Sequence, residues 1–400
     1  MQKNTYRLTF LSSCLGYLTQ AIIVNYPPLL FAALREQYNL TLEQIGLLVT
    51  VEFVVQIGVD FVASRLGDRL RYRSGAVAAN AFAALGLVGM CVLPDRMPPY
   101  VGLMLAVILM SIGGGLIEVL ITPIVAAIPA KENAGRISLL HSFYCWGSML
   151  TVAASTVLFR VCGIGRWRMI ALMWMLIPAI TALLFTRVAL PPQPPAATRD
   201  ESPLRTYLGK RTVWLLMLLM VSAGATELSI SQWASFLAEQ GLGVSKAMGD
   251  LLGPCAFAFL MGAGRLWLSR VVTMHNLPRI LMVCGVGCLL GYALIALSPL
   301  PVLSLGGICL VGLSVSLLWP GTISLCTAYY PHGGTALFAL MALCGDIGCS
   351  VGPAWIGFVS GSVTGQSVSD ALRVAFAAAL IFPLLIPLGT FLLRKGGKDK

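Results

Sequence analysis
Carboxylates sit in this chain where the surrounding residues offer little water to solvate them. Glu118 lies inside GGGLIEVLITPIV, Glu227 inside GATELSISQWASFL, and Asp346 between Gly345 and Gly348. Glu52, Gln56 and Asp60 recur every four residues within another apolar run. At the centre of a bilayer helix a carboxylate costs about 2.5–3.5 kcal/mol on insertion scales, so a chain that keeps several has a use for them. The chemistry they offer is proton exchange: low dielectric favours the neutral acid, which loses its proton when water, a cation or a polar solute arrives. Glu118, Glu227 and Asp346, with His141 in SLLHSFYCWG, are therefore the candidate proton-coupling groups.

Glu118 and His141 fall in successive apolar runs, at depths differing by about 5 Å for a rise of about 1.5 Å per residue. They are expected to couple directly or through water; a hydrogen bond that merely knits two helices is the alternative. Four-residue spacing places Glu52, Gln56 and Asp60 on one helix face, which needs a polar neighbour. That neighbour is either a solute cavity at Glu52 and Gln56 with a gate at Asp60, or another helix. Aromatic faces stack on the apolar faces of sugars, and amides supply paired donors and acceptors. Tyr26, Tyr144, Trp146, Trp233 and Trp319 lie inside apolar runs, accompanied by Gln20, Asn25, Gln56 and Gln232. With Glu52 they form the candidate substrate-binding set, against the plainer reading that most of the aromatics are core or lipid-facing.

The elements that must position these groups follow from composition. The 400 residues are 58% hydrophobic and 11% charged, far from the roughly 25% charged of soluble domains. About 20 mainly apolar residues span a bilayer, and twelve such runs can be placed. They are Leu8 to Leu34, Gln44 to Ala63, Gly75 to Val92, Tyr100 to Ile128, Ala134 to Val161, Trp167 to Val188, Thr212 to Ala238, Ala247 to Trp267, Leu277 to Leu297, Val302 to Tyr329, Thr335 to Val359 and Ala371 to Leu393. The fold class is thus an all-α polytopic membrane protein of 12 transmembrane helices. The proline-rich segment 189–211 divides an amino-terminal six-helix bundle, 1–188, from a carboxyl-terminal one, 212–400. Weak echoes at an offset near 200, such as Gly135 with Cys145 and Gly334 with Cys344, favour two pseudo-symmetric halves with a solute site at the midplane.

Most of the lysines and arginines fall on one side of these runs, which places both termini and the linker in the cytoplasm of a bacterial-type inner membrane. Arg160, Arg166 and Arg168 are exceptions in an external loop. The net charge of +11 is scattered between apolar runs, which argues against nucleic acid as a partner. The eleven cysteines lie mostly within apolar runs with no CxxC and no histidine set, so neither a metal nor a cofactor is expected. Gly113, Gly114 and Gly115 permit close helix packing; no Lys-Ser/Thr follows to make a phosphate loop.

Between the second and third runs, DFVASRLGDRLRYR resembles the cytoplasmic loop signature of the major facilitator superfamily, with Asp68 and Arg69 matching and Ser64 and Arg71 replacing the usual glycines. Glu118 followed five residues later by Pro123, Glu227 with Trp233, and MGAGR ending at Arg265 are similar to the fucose:proton symporter group of that superfamily. The resemblance implies alternating access, with Asp60, Asp68, Arg69 and Arg265 as gating residues. It also exposes a departure: members of that group carry an acid in the first helix, whereas this one offers Gln20, Asn25 and Tyr26. If a proton is coupled, Glu118 has to carry more of the work.

The expected function is secondary transport: proton-coupled symport of a small sugar or related polar metabolite by a monomer in a lipid bilayer. The alternative is a proton-coupled exporter of drugs or another organic solute. An enzyme is disfavoured by the absence of HExxH and GxSxG and by a histidine count of only three.

Overall fold
The computed structural model describes residues 6–66, 71–128, 133–192, 207–273, 275–298, 300–330, 334–363, 365 and 367–396. Among them there are no strands, and 12 helices are long and apolar enough to cross a membrane. They are α1 (Arg7–Tyr38), α2 (Leu42–Ala63), α3 (Tyr72–Asp95), α4 (Pro99–Val125), α5 (Ser142–Cys162), α6 (Ile164–Arg187), α7 (Arg211–Gly241), α8 (Lys246–Leu268), α9 (Leu277–Leu297), α10 (Pro301–Cys326), α11 (Leu340–Ser362) and α12 (Val368–Arg394). Each overlaps one apolar run of the sequence.

Several spans expected to be continuous are interrupted, three of them four residues before a proline, although Pro123, Pro178 and Pro353 lie inside helices that stay regular. A proline has no N–H for the carbonyl four residues earlier and crowds it, so the helix can yield at that carbonyl. In α10 the regular helix stops at Val315 and resumes at Leu318, and Ser316 lies four residues before Pro320. In α12 it stops at Ala378 and resumes at Ile381, with Ala379 four before Pro383. In α8 a π-helical stretch, Leu251–Cys255, follows Asp250, which is four before Pro254. In α1 the change falls at the prolines themselves: the regular helix ends at Asn25 and a 3-10 turn runs over Pro27–Leu30. The helix then continues to Tyr38, beyond the expected end at Leu34, and closes on Asn39 in a left-handed conformation.

The chain divides into two compact units. One comprises Met1–Leu40 with Val51–Arg199, the other Thr41–Thr50 with Asp200–Lys400. In the first, Cys14, Tyr17, Ala79, Ile117, Ile121 and Ile124 belong to one buried cluster joining α1, α3 and α4. The three glycines of α4 set its separation from two neighbours. A β-carbon at Gly113 would lie 2.7 Å from the Ala79 carbonyl oxygen on α3, and one at Gly115 2.9 Å from Val59 on α2.

Polar contacts pin this unit at both ends. The guanidinium of Arg168 makes a two-pronged contact with Asp95 at 2.5 and 2.8 Å and donates to the Tyr38 hydroxyl at 2.8 Å. One of the arginines that broke the charge bias thus has its counter-ion on another helix. At the other end, Arg73 donates to the carbonyls of Phe185, Thr186 and Val188, satisfying acceptors left open where α6 ends.

In the second unit, glycines of α11 press on the backbone of α7. A β-carbon at Gly348 would stand 2.1 Å from the Val221 carbonyl oxygen, and one at Gly352 2.5 Å from that of Ala225. The segment Thr41–Thr50 joins this unit through Gly46, whose added β-carbon would lie 3.0 Å from the Gly357 α-carbon.

Candidate functional site
In the first unit the polar residues converge on the middle of α4. Gln20 of α1 donates its Nε2 amide to Glu118 Oε2 at 3.3 Å, and one turn along, the Tyr17 hydroxyl pairs with that of Thr122 at 2.8 Å. Gln20 is 7% exposed and its other amide atom, Oε1, has no hydrogen-bond partner. Gln56 of α2 is 3% exposed and its Nε2 is likewise without one. That nitrogen lies over the backbone of α4, 2.9 Å from where a β-carbon at Gly114 would stand. Glu52, one turn earlier on α2, is also buried. Glu118, Gln20, Gln56 and Glu52 are thus supplied by three helices, and no cation faces Glu118 among the described residues. The side chain of His141 lies outside the described residues, as do Asp68 and Arg69; Asp60 is partly buried on α2.

Other members of the expected substrate set hold the helices together. Tyr26 is fully buried, donates its hydroxyl to the Trp167 carbonyl at 2.5 Å and packs against Phe159. Asn25 donates to the Ala21 carbonyl and to Ser148 of α5 at 3.0 Å. Trp233 is fully buried, with its indole N–H on the Pro353 carbonyl at 3.1 Å. In each of these three, the polar atom named here already has a partner inside the protein. Tyr144 is partly buried, Trp146 is 36% exposed and Gln232 is buried.

The second unit has its own charged pair. Glu227 of α7 stands 4.0 Å from the guanidinium of Arg265 on α8, which also lies 3.7 Å from Met261 Sδ. Arg265, expected at a gate, is therefore the counter-ion of a candidate coupling acid. Asp346 is buried on α11 beside Gly345, and the ring of Trp319 lies on that glycine, 2.1 Å from where its β-carbon would be. A third constellation escaped the sequence reading. Lys246 contacts the fully buried Asp250 at 2.7 Å and Ser235 at 2.8 Å, and Ser235 donates to Asp250. The spacing of four between Lys246 and Asp250 was the available signal.

The model of the Major Facilitator Superfamily matches residues 9–353. The chain belongs to that superfamily, and it is a multi-pass membrane transporter. A bacterial homologue of the human lysosomal transporter Spinster, solved in an inward-facing, unoccupied conformation, is similar at 16% identity and TM-score 0.78, covering 99% of this chain and 98% of that one. A D-xylose-proton symporter is similar at 15% identity and TM-score 0.78, covering 98% and 97%. The fucose:proton symporter of E. coli is similar at 15% identity and TM-score 0.62, covering 95% and 99%. Likeness at such identity concerns the fold. Among curated proteins none matches.

Proposed function
We propose that this transporter is a proton-coupled symporter of a small sugar or related polar metabolite, with Glu118 as the proton carrier. The observation that carries the reading is the setting of Glu118: mid-helix, bonded by one neutral amide, and without a cation among the described residues. Glu227 already has a counter-ion in Arg265. A buried acid in a membrane interior has a neutral alternative in the protonated form, which makes it suited to loading and releasing a proton. Amides with open hydrogen-bonding capacity at Gln20 and Gln56 suit a ligand rich in hydroxyls. The symporters named for D-xylose and fucose among its structural neighbours favour the same class.

In this reading the protein works as a monomer in a bacterial-type inner membrane. Its termini and the linker 189–211 face the cytoplasm, and the bundles 1–188 and 212–400 expose the binding residues to one side and then the other. Purified protein is screened by thermal shift against sugars, amino acids and organic anions, because a ligand that binds the folded state raises its melting temperature. The best hit is then assayed for uptake into vesicles under an inward proton gradient. Stabilisation by a neutral sugar with gradient-driven accumulation supports symport; drug resistance in cells without sugar uptake points to the exporter.

A further inference from the structure
We propose that Gln20 is the residue that reads the protonation state of Glu118 and passes it to the substrate, by turning its amide end for end. The proposal rests on the reading of Glu118 as the proton carrier. A primary amide has two donors at one end and an acceptor at the other. The donor end of Gln20 faces Glu118 Oε2 at 3.3 Å, the arrangement an ionised carboxylate requires, and the acceptor end is buried with no partner. When Glu118 gains a proton, its O–H becomes a donor and needs an acceptor. Rotation by about 180° about the last torsion of Gln20, a broad and roughly two-fold rotor, presents Oε1 to that O–H. The exchange makes and breaks only hydrogen bonds. The end of Gln20 left over changes from an acceptor to a donor, so the group offered to a solute depends on whether the proton is bound.

Among the described residues, the surroundings of Glu118 hold one such rotor. On α1, Tyr17 is engaged with Thr122 of α4 at 2.8 Å, so its hydroxyl already has a partner. On α2, Glu52 lies one turn from Gln56, and Gln56 supplies a second open amide group, a donor beside Gly114, one turn from Glu118 on α4. Asn80 of α3 donates to the Ala76 carbonyl of its own helix. Just before α5, His141 lies at a similar depth by sequence, and its side chain lies outside the described residues. Among the described side chains named here, Gln20 is the one bonded to Glu118 that also has an open amide end.

The test is infrared difference spectroscopy of the full-length, substrate-free protein in lipid, comparing acid with alkaline buffer. The expected result is a carboxylic-acid carbonyl band that vanishes in Glu118→Gln, accompanied by an amide carbonyl shift that vanishes in Gln20→Met. Should Gln20→Met fold poorly, the same amide shift must also be absent in Glu118→Gln, since an amide with no proton to read stays put. In uptake, Gln20→Met is expected to flatten the pH dependence of the apparent KM for labelled D-xylose or L-fucose, whichever the wild type takes up. A merely structural Gln20 would change kcat or yield and leave that pH profile alone. A Glu118 band that titrates while the amide shift survives Gln20→Met overturns the role of Gln20 and leaves the proton carrier standing. Absence of any titrating Glu118 band overturns both.

Discussion

Gly348 offers a test of whether the backbone contact between α7 and α11 holds the second unit together. A β-carbon there would stand 2.1 Å from the Val221 carbonyl oxygen and 2.9 Å from the Ala225 nitrogen, both main-chain atoms of one α7 turn. Neither can rotate away, so Gly348→Ala forces the two helices about 1 Å apart or distorts α7, and overpacking of this kind costs about 1–3 kcal/mol. Gly306 on α10 is the control, because a β-carbon there meets nothing within 4 Å. Any gain in helix propensity is common to both alanine variants and cancels in their difference. At roughly 2–4 °C per kcal/mol for a unit of about 200 residues, Gly348→Ala should melt several degrees below Gly306→Ala. The assay is thermal unfolding of both proteins in the same detergent at one scan rate. Equal melting temperatures would refute the packing argument. The two helices carry Glu227 and Asp346, so a displaced α11 should also impair transport.

Two further perturbations probe groups that have polar partners inside the protein. Tyr26→Phe removes the donor to the buried Trp167 carbonyl, which is expected to cost about 1–3 kcal/mol of stability and leave the apparent KM unchanged; a changed KM with intact stability would show that Tyr26 contacts the substrate instead. Lys246→Met leaves the charge of the fully buried Asp250 without its lysine, at an expected cost of about 3–5 kcal/mol. Adding Asp250→Leu should recover most of the loss, read in thermal melts as a double-mutant cycle; no recovery would mean that the pair is not the source of the effect.

The spans were legible because a bilayer demands about twenty apolar residues from each helix, whatever the helix packs against. Their interruptions were only partly legible: Pro320, Pro383 and Pro254 each stand four residues after a break, but Pro123, Pro178 and Pro353 sit in helices that stay regular, and packing decides between them. The carboxylates stood out because charge in an apolar run is conspicuous on its own. Their partners did not. Gln20 and Glu118 are separated by 98 residues, and Arg168 and Asp95 by 73, so only the fold reveals that they meet. Aromatics were the least legible group. A tryptophan inside a span has the same sequence appearance whether it bonds a backbone carbonyl, as Trp233 does, or lies on a glycine, as Trp319 does.

The most direct test of the account compares wild type with Glu118→Gln in proteoliposomes, using the sugar that the binding screen selects. Two quantities are measured on each: accumulation driven by an inward proton gradient, and counterflow exchange with sugar at equal pH on both sides. The wild type should do both. Glu118→Gln should lose gradient-driven accumulation and keep counterflow, because the solute can still bind and cross without a proton to carry. Accumulation in the variant equal to the wild type, with an unchanged pH profile, would contradict the assignment of the proton to Glu118.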